Sequence, residues 1–310
     1  MEDHETNEMV RRTVREALKI FSIDVAQTLS QLGWRSLAQT DQELAVTALF
    51  EEQGRLALST TALDYVAADF LDVGTDATFV WPLRSGSNVN DRRRKHDIGV
   101  EGVILRQDIL SDRLILAPVN ERVCVLDVST LNVRPLGGMA IDEGWAHVSC
   151  IGRIAADAAP WSGMERLARL ALASELIGVA NKMVELASAH VTDRFQFGRP
   201  IGSNQAVRFR VADAYAEVAG AQSLISAAWR DGSEQAALTA KTVAGRAHST
   251  VVNNVLQVGG AIGLSEEHPF PHLARRGFAL DALLGSFLKD EGTLAGDTAG
   301  IRLAEPIGAF

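Results

Sequence analysis

From residue 164 to residue 289 apolar side chains recur three and four positions apart with little interruption. That period places an apolar stripe along one face of a helix, and stripes this long leave water only by packing on one another. The spacing predicts helices over 164–193, 204–231, 234–259 and 271–289, and hence a C-terminal four-helix bundle over residues 160–310. Gly198, Pro200 and Gly202 break the pattern between the first two helices, and Gly259, Gly260 and Gly263 break it after the third. At such breaks the backbone can approach a ligand closely.

Upstream the pattern changes twice. Residues 7–70 are strong helix formers with apolar positions at helical spacing, such as Leu44, Val46, Leu49 and Phe50, which predicts an N-terminal helical region over residues 1–75. From Thr78 short apolar runs alternate with turn residues, at 78–81, 99–105, 114–118 and 123–128. These predict a small β domain over residues 76–159. The fold class expected is α+β, mainly α, in three parts.

Charge and composition narrow the function. Thirty Lys and Arg against 39 Asp and Glu leave a net charge of −9, which repels nucleic-acid backbones and anionic membranes. No apolar run approaches the ~18 residues of a membrane span, and residues 1–12 are acidic and polar where a signal peptide is basic and then apolar. A cytoplasmic chain is expected. Cys124 and Cys150 match no metal-ligand or redox spacing and read as buried thiols, and His190, His248 and His272 are scattered, so no metal is expected. The run Arg92-Arg-Arg-Lys95 with His96 could meet a phosphate or an acidic surface, but its Asn and Asp neighbours describe a solvated loop.

Arg194-Phe-Gln-Phe-Gly-Arg-Pro-Ile-Gly202, followed by Gln205, joins a guanidinium, rings, turn glycines and an amide where one helix ends and the next begins. A nucleotide pyrophosphate suits that set, because the planar Arg fork binds two phosphate oxygens and a helix N-terminus adds N–H donors. An interhelix loop whose Arg caps carbonyls fits the same residues. With Lys241, Gln257-Val-Gly-Gly, Glu267-His-Pro and Leu283-Leu-Gly-Ser286, the set resembles the C-terminal domain of the acyl-CoA dehydrogenase family. Leu32-Gly-Trp-Arg and Glu51-Glu-Gln-Gly-Arg55 resemble its N-terminal helices, and residues 99–112 a reduced form of its β domain.

The resemblance implies a flavoprotein that oxidises an acyl-CoA thioester to its trans-2-enoyl form, a carboxylate taking the α proton while hydride leaves the β carbon for FAD. It implies that Arg194, Phe197 and Gln205 contact an FAD held mainly by a neighbouring subunit, and that Gln257, Gly259 and Gly260 line the same cofactor. The two positions where members of the family carry the catalytic base match Leu284 and Ala168 here, and neither side chain can accept a proton. Glu165, one turn before Ala168, and Asp281, three residues before Leu284, are the alternative bases, and Glu175 lies too far along its helix. Where the family embraces the flavin ring, this chain has Val80-Trp-Pro-Leu-Arg-Ser85 and Ile104-Leu-Arg106.

Glu267-His268, Leu273-Ala-Arg-Arg276 and Leu280-Asp-Ala-Leu-Leu-Gly285 resemble the short, base-lacking subunits of heteromeric α2β2 acyl-CoA dehydrogenases of actinobacterial steroid catabolism. That likeness implies a base-bearing homologous partner, a bulky, steroid-derived acyl-CoA substrate and an electron-transfer acceptor. A homo-oligomeric dehydrogenase using Glu165 or Asp281, and a flavin-free scaffold, are the competing expectations.

Overall fold

A computed structural model describes residues 2–20, 25–74, 77–83, 98–106, 114–140 and 143–299. The basic run at 92–96 lies outside the described residues. Five helices open the chain: α1 (Glu2–Ile20), α2 (Val25–Gln31), α3 (Trp34–Thr40), α4 (Gln42–Arg55) and α5 (Ala62–Phe70). Asp41 takes an extended conformation and its carboxylate accepts from the Leu44 N–H at 2.9 Å, which starts α4 with a side-chain cap. Helix α4 is buried from Leu44 to Gly54.

The middle of the chain is one five-stranded sheet of β1 (Ala77–Phe79), β2 (Ile98–Ile104), β3 (Leu114–Val119), β4 (Arg122–Pro135) and β5 (Ala146–Pro160), ordered β1-β3-β4-β5-β2. Among the described strands of this sheet, β1 and β3 run parallel and the other neighbours antiparallel. Neighbouring residues point to opposite faces, so Trp81, Val103, Leu116 and Val123 join the main core while Val80, Ile104, Ala117 and Cys124 form a second apolar cluster.

The bundle consists of α6 (Trp161–Asp193), α7 (Gln205–Asp231), α8 (Glu234–Gly263), α9 (Pro269–Ala282) and α10 (Phe287–Ala299), with a short hairpin, β6 (Phe195–Gln196) and β7 (Arg199–Pro200), between α6 and α7. Helix α6 is its axis and is buried over most of its length. Helix α7 buries only Ala214, Val218, Ala221, Ile225 and Ala228, a seam of alternating four- and three-residue steps typical of an outer helix. The helix expected over 271–289 is two helices. The chain turns at Leu284 (φ +55) and Gly285 (φ +118), held by the Leu284 N–H on the Pro82 carbonyl at 2.8 Å. Lys241 Nζ donates to the carbonyls of Asp281 (2.7 Å) and Gly285 (3.1 Å), so a buried ammonium takes up the acceptors that the broken helix leaves open.

Candidate functional site at the hairpin end of the bundle

Helix α6 ends where the Arg194 N–H bonds to His190 O, and the Ile201 N–H closes the hairpin on Arg194 O at 2.8 Å. A two-residue turn joins β6 to β7, with Phe197 at φ +53 and Gly198 at φ +80. Two left-handed residues in sequence match the right-handed twist of a tight hairpin. The turn leaves Phe197 99% exposed. Arg194 is exposed beside it, and Arg199 is held by Asn204 Oδ1 at 2.8 Å. Asn204 precedes α7 without capping any of its N–H groups through the side chain, and exposed Gln205 is the first residue of that helix.

Helix α8 returns to the same end. Arg210 of α7 donates to Asn254 of α8 at 3.1 Å, and exposed Gln257 lies one turn beyond Asn254. Gly260 then kinks the helix at φ 57 and ψ −146, close to a backbone region open essentially only to glycine, with no other heavy atom within 4 Å of where a Cβ would stand. Gly259 is buried, and its missing side chain makes room for the Phe270 ring, 3.1 Å from a would-be Cβ. His268 caps α9 by accepting from the Phe270 N–H at 3.3 Å, with its ring 6.3 Å from that of His190. Phe195, Phe209, Ile262 and Leu264 are also exposed on the hairpin and on the neighbouring stretches of α7 and α8.

The two expected base positions are elsewhere, inside the protein. Leu284 is 1% and Ala168 is 3% exposed, and both belong to the main core. Trp81 is fully buried between Phe79 and Trp161, with ring centroids at 5.4 and 6.3 Å, and its indole N–H donates to Asp64 at 2.7 Å. Of the segments expected near a flavin ring, Val80, Trp81, Pro82, Ile104 and Leu105 are therefore packing residues, while Arg84 and Ser85 lie outside the described residues.

Both alternative carboxylates are engaged. Glu165 accepts from Arg169 at 2.5 Å, and burial pushes its carboxyl above the usual range against the pull of that guanidinium. Asp281 accepts from the Phe287 N–H at 3.2 Å and faces Lys241 at 3.8 Å, with burial again the largest influence and again upward. Burial draws Lys241 down to about 8. Glu175 pairs with Arg276, as does Glu143. Sequence reasoning missed these buried pairs, whose partners lie up to 133 residues apart.

The hairpin end fits the phosphate-bearing half of a dinucleotide: an exposed guanidinium, an exposed ring, uncapped helix N–H groups and an open glycine backbone converge there. The Leu284 side chain, by contrast, is enclosed in the apolar core. Among the described residues no group of His, Cys, Asp and Glu could hold a metal ion, and no helix is long and apolar enough to cross a membrane.

Comparison with known proteins bears on the bundle and on the fold. Residues 164–286 match the family model described as the acyl-CoA dehydrogenase C-terminal domain. The acyl-CoA dehydrogenase IpdE2 of Mycolicibacterium smegmatis is 37% identical over 123 residues, 40% of this chain and 40% of that protein. The match thus spans well under half the length of that curated relative. Among solved structures, a Tcur3481-Tcur3483 steroid ACAD variant superposes with a TM-score of 0.69 at 20% identity, covering 96% of this chain and 98% of that one. The ChsE4-ChsE5 complex from Mycobacterium tuberculosis gives 0.68 at 18% identity, covering 96% and 98%. At these identities the likeness shows a shared fold.

Proposed function

We propose, on the premise that residues 164–286 belong to the acyl-CoA dehydrogenase C-terminal domain family and that the chain has the fold of such enzymes, that this protein is the non-base-bearing subunit of a heteromeric FAD-dependent acyl-CoA dehydrogenase. The carrying observation is a separation. Leu284 and Ala168 are sealed in the core, whereas Arg194, Phe197, Gln205 and Gln257 stand exposed at the other end of the bundle. A chain so built lacks a proton acceptor at the expected positions yet keeps a surface suited to a cofactor bound by a neighbour. Two of the solved structures that share this fold, the Tcur3481-Tcur3483 steroid ACAD and the ChsE4-ChsE5 complex, each pair two proteins, which supports a two-component assembly.

In that assembly Arg194 binds pyrophosphate oxygens through its planar fork, Phe197 packs on the cofactor, and the first turn of α7 with Gln205 supplies donors. Gln257 and the open backbone at Gly260 line the remaining length. Bound FAD supplies a hydride acceptor for the substrate β carbon. The homologous partner supplies the carboxylate that takes the α proton, and an external acceptor reoxidises the complex. The substrate is a bulky acyl-CoA, steroid-derived by analogy with the steroid ACAD relative.

The test is the visible spectrum and native mass of the chain alone and after co-expression with a base-bearing homologue. A colourless chain alone and a yellow heterotetramer together are expected. Arg194→Ala should lower flavin retention in the complex while leaving the melting temperature of the chain alone unchanged. Unchanged flavin content, or a yellow homo-oligomer that turns over acyl-CoA, overturns the reading.

A further inference from the structure

A cleft of about 510 Å³ opens between α3 and α5, well away from the residues assigned to the flavin. Its volume falls within the roughly 300–1,000 Å³ of small-molecule sites. Buried Trp34, Val66 and Leu167 supply apolar walls, and Phe70 stands at one side with its ring turned toward Gly163, 3.2 Å from a would-be Cβ. Leu167 belongs to α6 and is the neighbour of Ala168.

The polar lining is selective. Arg35 of α3 binds Asp69 at 2.6 Å and Asp72 at 3.3 Å, linking α3 to the end of α5 and the residue just past it. One guanidinium is thereby matched by two carboxylates, so a phosphate or carboxylate finds no uncommitted cation among the described lining residues. Gln39 and Gln42 also line the cleft, and among the described residues neither side-chain amide is hydrogen-bonded to the protein. They offer donors and acceptors to a neutral ligand.

We infer that this cleft is a second binding site, for a small uncharged compound that joins an apolar body to carbonyl or hydroxyl oxygens. The inference goes beyond the proposed subunit role and does not depend on it, because no flavin, acyl-CoA or partner residue enters the argument.

Two fluorescent naphthalenes test it with the full chain: Prodan, an uncharged ketone, and ANS, a sulfonate of similar size. Prodan should bind saturably, one per chain, with a blue-shifted emission. Ala38→Trp, which fills the cleft from α3, should weaken Prodan by at least about tenfold, and ANS should bind unmodified protein about tenfold more weakly than Prodan. Phe197→Ser should leave Prodan binding intact, which separates the cleft from the exposed rings of the hairpin end. If Ala38→Trp fails to fold by circular dichroism, Gln39→Trp fills the same space from an exposed position. Prodan binding that survives the filling variant, that disappears in Phe197→Ser, that ANS equals, or that never saturates overturns the inference.

Discussion

Leu284 is a residue whose backbone and side chain disagree with its surroundings in a useful way. A branched apolar residue at φ +55 is strained, and the site tolerates it because the Leu284 N–H, the Pro82 carbonyl and the Lys241 ammonium hold the turn from several sides. Replacing it by glutamate places a carboxylate where the position is 1% exposed and the side chain belongs to an apolar core. Leu284→Glu should cost roughly 3 kcal/mol in urea unfolding and leave the isolated chain without dye-linked acyl-CoA oxidation. Activity in that variant would contradict a Leu284 side chain sealed in the core. His248 makes a second residue-scale prediction. It is fully buried against Phe278, and burial draws its imidazole down to about 4. The native state therefore keeps His248 neutral while the unfolded chain binds a proton below about 6.5. Its contribution is present above that pH and is lost as pH falls toward 4. Stability should rise across this window with a slope of up to about 1.4 kcal/mol per pH unit, and His248→Gln should flatten that component in paired denaturation curves.

At the scale of elements, the long helices of the bundle were legible because a 3.6-residue period sustained over dozens of positions matches a helix and conflicts with the two-residue alternation of a strand. The break between α9 and α10 was not legible, because leucine at a positive φ carries no local signal and is imposed by contacts from Pro82 and Lys241. Strand β5 lay within the expected β segment without a run of its own, since it runs unbroken into α6 at Pro160. At the candidate site the glycines of the hairpin and of α8 were visible as breaks, yet whether Arg194 and Gln257 share one end of the bundle depends on how α7 and α8 pair. The crossing of α4 and α6 shows the same limit. A Cβ at Gly54 would overlap the Glu175 carbonyl and one at Gly178 the Glu51 carbonyl, so two glycines far apart in sequence let two backbones touch. Gly178→Ala should push the helices apart and cost about 2–3 kcal/mol, read as a lower denaturation midpoint with little change in m-value. An unchanged midpoint would mean that α4 yields without loss.

Across the whole molecule one buried ion cluster joins the three parts of the chain. Arg276 of α9 reaches Glu175 of α6 and Glu143 just before β5, lies 5.5 Å from the Trp145 ring centroid, and Glu175 is also hydrogen-bonded by Gln53 of α4. Arg276, Glu143 and Glu175 are all buried. Such a pair need not exceed an apolar replacement in stability, but removing one partner strands the others without compensation. Arg276→Ala leaves two carboxylates in the core and should cost about 3–5 kcal/mol. Changing Glu143 and Glu175 to glutamine in the same chain should return part of that loss, because the stranded charges are then gone. Hydrogen exchange decides whether the cluster is a joint or a local contact. Loss of protection in α4, β5 and α9 together makes it the joint between the helical, β and bundle regions. Loss confined to α9 would leave the shared apolar core as what unites them, and the hairpin end would then keep its geometry even with Arg276 removed.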